Sequence, residues 1–193
     1  DRLYRVVRLA SKETGKQVRL DIFGGSIEMD RAVLDRMTPA FEHLLRNSVV
    51  HGIEAPERRT AAGKEAVGTV TISVTQEANE VAIDFRDDGA GLDLKRIQAK
   101  ALATGLLQAD VPASEAELAA LIFQAGFSTA EQVTGLAGRG VGMDVVRRNI
   151  ESLRGQISLA STEGRGTTTQ IRLPLTLAII DGFLTVVGGV HYV

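Results

Sequence analysis

Three parts of this 193-residue chain combine residue types that can bind a nucleotide together with a metal ion. Residues 42–52 place histidine and asparagine at helical spacing, and residues 87–91 read Asp-Asp-Gly-Ala-Gly. The third part consists of two glycine-rich segments, at 138–143 and 164–168. Together they offer an amide for a metal ion, a carboxylate for adenine and backbone N–H groups for phosphates. This is the chemistry that an ATP site without a Walker loop requires.

His43, Asn47 and His51 stand four residues apart, which places them on one face if the segment is helical. A neighbouring face carries an apolar stripe that predicts a buried helix: Leu34, Met37, Phe41, Leu44, Leu45 and Val49. Asn47 offers an uncharged oxygen suited to a magnesium ion that keeps most of its water and phosphate ligands. His43 can accept a proton near neutral pH. The alternative interpretation is a surface helix with incidental polar residues.

Asp87 directly follows residues 81–85, whose alternating pattern predicts a strand. A carboxylate at a strand end can accept a hydrogen bond from the amino group of adenine. Gly89 and Gly91 allow the backbone to come close to the ring. An ordinary acidic turn is the alternative.

Gly138, Gly140 and Gly142 precede a helix predicted to begin near Met143, where backbone N–H groups can hold phosphate oxygens. A dinucleotide-binding fold would need a strand immediately before these glycines, and residues 127–135 are not strand-like. The sequence contains no P-loop motif, and its three histidines lack the spacing of zinc ligands.

The order of predicted elements favours an α+β two-layer sandwich over a doubly wound parallel sheet. Antiparallel hairpins are predicted at residues 70–85 and 156–173, with a strand at 18–23 before them. Helices are predicted at residues 2–14, 34–49, 92–103, 114–124 and 143–153.

Composition excludes several classes of protein. The net charge of -2 shows no overall excess of basic residues of the kind that nucleic-acid-binding proteins carry, and the absence of cysteine excludes disulfides and zinc–thiolate sites. The apolar run at 177–190 is broken by Asp181 and is too short to span a bilayer. The absence of cysteine fits a reducing compartment, and we expect a cytoplasmic protein. Because the sequence starts without methionine and stops in a strand-like run, we expect a piece of a longer protein.

These motifs resemble the GHKL superfamily of ATP-binding proteins, which includes histidine kinases, gyrase, MutL and the ninety-kilodalton heat-shock chaperones. The chemotaxis-type (CheA-like) histidine kinases are the most similar branch, over roughly residues 5–193. The segments that carry this resemblance are residues 43–54, 127–134, 138–146 and 173–179. The resemblance implies the GHKL (Bergerat) sandwich, a mixed sheet with helices on one face.

The resemblance also implies a role for individual residues. Asn47 would hold Mg²⁺ and touch the nucleotide, Asp87 would bind adenine, and residues 124–142 would form a lid over ATP. His43 would be the catalytic base, with Arg46 and His51 beside the phosphates. Further nucleotide contacts are implied for Gly89, Gly91, Ser128, Gly138, Arg139, Gly140, Val141, Gly142, Met143, Gly166, Thr167 and Thr168.

The family pattern divides the chain into three parts. Residues 1–14 would end a dimerisation helix, residues 15–175 would be the catalytic domain, and residues 176–193 would begin a CheW-like regulatory domain. Such a kinase transfers the γ-phosphate of Mg-ATP to a histidine on a separate phosphotransfer domain. The implied partners are that domain, a response regulator, a CheW-like coupling protein and a chemoreceptor, with the full-length protein a homodimer.

Val50 departs from the chemotaxis pattern, since an acidic residue usually precedes the His-Gly pair, and Ala125 stands where proline is common. The valine is more similar to the hybrid kinases of type IV pilus signalling, which is a second possible subgroup. Two other functions stay open at this point. One is a GHKL ATPase that drives a conformational change, and the other is a non-catalytic nucleotide-sensing scaffold in a receptor array.

Overall fold

The computed structural model describes residues 1–124, 127 and 142–175 of the chain. Within these residues no helix is both long enough and apolar enough to cross a membrane. The α-helices are α1 (Arg2–Thr14), α2 (Arg31–Asn47), α3 (Pro56–Ala61), α4 (Leu94–Ala103), α5 (Glu115–Ala120) and α6 (Met143–Ser152). A π-helical turn at Ser48–Gly52 continues α2, and a 3-10 turn at Leu121–Phe123 continues α5.

Five strands form one mixed sheet in the order β1-β2-β3-β5-β4. They are β1 (Val18–Phe23), β2 (Gly68–Glu77), β3 (Glu80–Asp87), β4 (Gln156–Thr162) and β5 (Gly166–Pro174). β1 runs parallel to β2, whereas the β2–β3, β3–β5 and β4–β5 pairs are antiparallel. Both predicted hairpins are therefore confirmed, and β3 lies at the centre of the sheet.

The core lies on one face of this sheet. Val70, Ile72 and Ile171 alternate with polar residues along β2 and β5, and they join the buried residues of α1, α2 and α6 in one apolar cluster. The other face is polar, with Thr69, Thr71, Ser73, Asp84, Arg86 and Thr168 around an open depression. This arrangement confirms the predicted α+β two-layer sandwich with a mixed sheet.

Local signals fix the ends of the elements. Gly15 ends α1 in the left-handed conformation with φ 66°, as a C-terminal glycine does. Ser114 caps α5 by accepting a hydrogen bond from the backbone N–H of Glu117 at 3.2 Å. The single helix predicted at 114–124 is shorter in the structure, because its last turn tightens into the 3-10 form, a common helix ending.

Candidate functional site

The first wall of the site is the C-terminal end of α2. The buried face of this helix packs against the sheet, which leaves His43, Arg46 and Asn47 half-buried at the margin of the core. The helix then widens into the π turn, closed by a hydrogen bond from the Ile53 N–H to the Ser48 carbonyl at 2.8 Å. Such π turns are frequent at functional sites. Because His51 lies in this turn, its side chain leaves the backbone in a different direction from the one that a continuous α-helix would give.

Two charged side chains from the N-terminal part of the chain, Lys16 and Glu13, make hydrogen bonds that hold this wall in place. The Lys16 ammonium donates to the carbonyls of Val49 and Val50 at 3.0 and 2.8 Å, where the end of a helix carries partial negative charge. Arg46 donates to the Glu13 carboxylate at 2.8 Å. The first of these contacts fixes the turn that carries His51, and the second ties α2 to α1.

The two histidines of this wall are poised as neutral bases. Burial lowers the pKa of His43, and the charges of His51 and Arg46 lower it further. Desolvation by surrounding protein also lowers the pKa of His51, with the Lys16 and Arg46 charges adding to the effect, although its side chain is exposed. A pKa below the usual 6.5 leaves both imidazoles uncharged at pH 7, so either can accept a proton.

Asn47 joins α2 to the start of α6. Its side-chain nitrogen donates to the Met143 sulfur at 3.4 Å. Met143 is the first residue of α6, and Gly142 caps this helix in an extended conformation. The structure therefore brings Asn47, Gly142 and Met143 together, while their contacts with a nucleotide or a metal ion stay predictions. The amide oxygen is the half of the Asn47 side chain suited to a cation.

The second wall is the loop after β3, and its central group is the Asp87 carboxylate. Asp87 is only 5% exposed, and its Oδ1 accepts a hydrogen bond from the Gly89 N–H at 3.0 Å. Burial raises the pKa of Asp87 to about 6; hydrogen bonds from the Gly89 and Thr167 backbones oppose this rise, while the Asp88 and Glu54 charges add to it. A buried carboxylate with few partners is suited to receive a hydrogen-bond donor from a ligand.

Two glycines allow the walls to meet. A side chain at Gly89 would overlap the Gly52 carbonyl at the end of the π turn, and that carbonyl accepts the Ala90 N–H at 3.0 Å. Gly166 has φ 119°, and a side chain there would overlap the Asp87 carbonyl. Both positions therefore require glycine, because the backbone of a neighbouring segment occupies the place of a Cβ.

The β4–β5 turn supports the same loop. The Ala90 carbonyl accepts the Gly164 N–H at 2.7 Å, and the Leu92 N–H donates to the Ser161 hydroxyl at 2.7 Å. Gly91 lies between these two contacts. Sequence reasoning missed Ser161, since a serine in a strand carries no signal of a contact with a loop 69 residues away.

The two predicted threonines lie on opposite faces of β5. Thr167 pairs with Asp87 in the sheet register and contacts Ser161 at 3.1 Å between hydroxyls. Thr168 pairs with Arg86 and lines the open polar face. Thr167 is thus the threonine that shares a face of the sheet with Asp87, and the nucleotide contacts of both threonines stay predictions.

Sequence reasoning also missed a buried charged cluster behind the Asp87 loop. Arg59 is 1% exposed and contacts Glu54 and Asp88, and Lys64 contacts Glu54 and the loop backbone. The polar composition of residues 52–68 indicates a loop or short helix and contains no sign of burial. Several predicted contacts, namely Ser128, Gly138, Arg139, Gly140 and Val141, lie outside the described residues, as do residues 176–193.

Comparisons with known proteins agree with the resemblance that the motifs indicate. The sequence pattern of the family described as "Histidine kinase-, DNA gyrase B-, and HSP90-like ATPase" matches residues 33–177. Chemotaxis protein CheA of Salmonella typhimurium is 47% identical over 188 residues, which make up 97% of this chain and 28% of that protein. CheA of Borreliella burgdorferi is 45% identical over 192 residues, or 100% of this chain and 22% of that protein.

The chain thus spans less than a third of the length of these relatives. Among solved structures, the histidine kinase domain of the blue-light activated kinase EL346 from Erythrobacter litoralis has the same fold. It matches with a TM-score of 0.51 at 14% identity, over 90% of this chain and 63% of that one. The resemblance inferred from the motifs is confirmed, and the chain belongs to the family of histidine kinase-, DNA gyrase B- and HSP90-like ATPases.

Proposed function

We propose that this chain is the ATP-binding catalytic domain of a chemotaxis-type histidine kinase. It would position the γ-phosphate of Mg-ATP for transfer to a histidine on a separate phosphotransfer domain. The observation that carries this proposal is the buried Asp87 carboxylate, held by Gly89 beside the Gly52 end of the π turn that continues the helix bearing His43 and Asn47. The similarity to CheA proteins, which covers nearly the whole of this chain, supports the kinase over other ATPases.

Each wall would hold one part of the nucleotide. Asp87 accepts the adenine amino group, and Gly89, Gly91, Gly166 and Thr167 form the backbone around the ring. The N-terminus of α6 at Gly142 and Met143 favours phosphate oxygens through its free N–H groups. Ser128, Gly138, Arg139, Gly140, Val141 and Thr168 complete the proposed nucleotide contacts.

Magnesium is compatible with the donors of this site. Among the described residues, no group of three or more histidine or acidic side chains is arranged to hold a metal ion, and Asn47 supplies one neutral oxygen. This donor set fits Mg²⁺ held chiefly by phosphate and water, and it does not fit a metal held by protein ligands alone. When bound, the ion neutralises phosphate charge. Asn47 would hold it through its oxygen while Met143 keeps the nitrogen occupied.

The chemical step would depend mainly on positioning and charge. His43, neutral at pH 7, would accept a proton near the phosphoryl acceptor. Arg46 would add positive charge beside the phosphates, and the neutral His51 would add a hydrogen bond there. Val50 leaves this side of the site with no carboxylate at a position where related kinases carry one. We expect this substitution to affect the rate or metal response.

The remaining parts of the chain fit the same proposal. Residues 1–14 would end a dimerisation helix, residues 15–175 form the catalytic domain, and residues 176–193 would begin a CheW-like domain. The whole protein would act in the cytoplasm as a homodimer. Its partners would be a phosphotransfer domain, a response regulator, a coupling protein and a chemoreceptor, in chemotaxis or, as a narrower alternative, in type IV pilus signalling.

The proposal is tested by mixing the chain with γ-labelled ATP, Mg²⁺ and a separate histidine phosphotransfer domain. The kinase interpretation predicts acid-labile label on that domain and little label on the chain. Steady hydrolysis without labelled histidine would instead indicate an ATPase that drives conformational change. Nucleotide binding with neither reaction would indicate the sensing scaffold.

A further inference from the structure

We propose that Arg59 and Lys64 are positioning residues that set the shape of the adenine-binding loop from behind. With Glu54 and Asp88 they form a cluster of four charged side chains, called the rear clamp below. This inference rests on the proposed function, because it assigns the clamp to the same nucleotide site. None of its four side chains needs to touch the nucleotide.

Arg59 is the centre of the rear clamp. Its guanidinium is 1% exposed, an unusual state for arginine outside a specific polar site. It donates to the Glu54 carboxylate at 3.0 Å, to the Asp88 carboxylate at 3.1 Å, and to the Asp88 carbonyl at 3.2 Å. A further bond to the Glu65 carbonyl at 2.7 Å holds the guanidinium in its own segment. Arg59 therefore joins the segment after the π turn to the loop after β3.

Lys64 reaches the same loop from the other end of its own segment. Its ammonium donates to the carbonyls of Asp88 and Gly89 at 3.0 and 2.9 Å and to the Glu54 carboxylate at 2.8 Å. All three donor positions of an ammonium group are therefore used. Two successive loop carbonyls are thereby drawn toward the clamp.

The charges of the rear clamp balance. Two cations face two carboxylates, which lowers the cost of removing them from water. Burial opposes ionisation of Glu54, but the hydrogen bond from Lys64, a backbone hydrogen bond and the two neighbouring cations bring its pKa below the usual value. A network of this kind, buried at Arg59 and Glu54 and partly open to solvent at Asp88, favours one arrangement of the chain more than it adds stability. It is suited to holding a loop in a fixed shape.

The clamp acts on Asp87 through the peptide between Asp88 and Gly89. With both carbonyls fixed on the clamp side, the Gly89 N–H is directed at the Asp87 carboxylate, 3.0 Å away. The Asp88 carboxylate is anchored a second time by the Thr69 N–H at 2.9 Å. The direction of the Asp87 carboxylate, and with it the adenine pocket, thus depends on Lys64 and Arg59.

The test compares Lys64→Met, Lys64→Arg and the wild-type chain in titrations with Mg-ADP. Lys64 is the better target because Arg59→Met would remove the cation that pairs with Asp88, leave Glu54 with Lys64 alone, and could prevent folding. We expect Lys64→Met to bind about tenfold more weakly, the lower end of the loss of a charge-assisted hydrogen bond. Lys64→Arg should recover most of that loss. Arg58→Met is the matched control, because Arg58 is an exposed basic residue on α3, six residues before Lys64, and it should bind like wild type.

A second readout separates the clamp from nucleotide binding itself. Carboxyl-carbon NMR of the nucleotide-free chain follows the pKa of Asp87, which should rise in Lys64→Met as the Gly89 hydrogen bond loosens. An unchanged pKa of Asp87 in a folded Lys64→Met chain overturns the proposal. If wild type binds Mg-ADP, an unchanged affinity of Lys64→Met for Mg-ADP overturns it as well. If wild type binds no Mg-ADP, the proposed function fails, and the NMR titration alone decides on the clamp.

Discussion

Asp87→Asn should stabilise the nucleotide-free chain at neutral pH while weakening its binding of adenine nucleotides. The substitution preserves the size of the side chain and keeps an oxygen that can accept the Gly89 N–H. It removes a negative charge from a residue that is 5% exposed. Stability and binding should therefore change in opposite directions at a single position.

The size of the stabilisation follows from the pKa of Asp87. This pKa is raised from 3.8 to about 6, so between these values the folded chain holds a proton that the unfolded chain has lost. The stability of the wild type consequently falls as pH rises through this range. Between about pH 4.5 and about pH 7 the loss is about 2 kcal/mol, at about 1.4 kcal/mol for each pH unit up to the folded-state pKa. Asp87→Asn has no such loss.

The assay is urea unfolding of both chains at these two pH values. The difference in unfolding free energy, variant minus wild type, should increase by about 2 kcal/mol from the lower to the higher pH. Asp35→Asn is the matched control, since it removes the same charge from an exposed position on α2 and should give a constant difference. Comparing the change across pH cancels any fixed cost of the new amide hydrogens.

If the difference in unfolding free energy between Asp87→Asn and wild type stays constant with pH, this reasoning is refuted. Such a constant difference would mean that the carboxylate ionises freely in the folded chain and that burial does not set its energy. A decrease with rising pH would refute it more strongly, since the ionised carboxylate would then stabilise the fold.

Three other predictions concern separate parts of the site. Gly166→Ala should lower the unfolding free energy by about 2–4 kcal/mol, because φ is 119° and a Cβ would overlap the Asp87 carbonyl. Gly25→Ala is the control, since open space surrounds Gly25 and the unfolding free energy should change little. Equal urea midpoints for the two variants would contradict the prediction. His43→Gln should slow phosphotransfer by about 10²-fold or more at unchanged ADP affinity, and an unchanged single-turnover rate would remove His43 from the base position. Asn47→Asp should alter the effect of Mg²⁺ on ADP affinity more than the affinity without Mg²⁺, and an unaltered magnesium response in calorimetry would show that Asn47 is not the ligand.

The sequence was most informative where periodicity and local chemistry agree. The alternation along 70–74 and 81–85 predicted the central hairpin, and the apolar stripe of α2 predicted the helix that carries His43 and Asn47. Gly15 and Ser114 marked two helix ends through their own conformational preferences. Such features depend on residues close in the chain, which the sequence displays directly.

Other features depend on contacts between distant segments and could not be read from the chain. The π turn at Ser48–Gly52 is held by Lys16, more than thirty residues earlier, and by the Gly52 contact with the loop after β3. The buried Arg59 makes hydrogen bonds with Asp88, 29 residues later in the chain, and nothing near Arg59 in the sequence indicates that contact. The raised pKa of Asp87 is likewise a product of burial, which its own motif does not specify.

The most direct test of the account is calorimetric titration of the chain and of Asp87→Ala with Mg-ADP, with Mg-GDP as the comparison ligand. We expect magnesium-dependent binding of ADP, rejection of GDP, and roughly ten- to a hundredfold weaker ADP binding by folded Asp87→Ala, as the loss of a hydrogen bond to a charged group predicts. Wild type that binds neither nucleotide, or Asp87→Ala that binds ADP as wild type does, would contradict the assignment of this pocket to adenine.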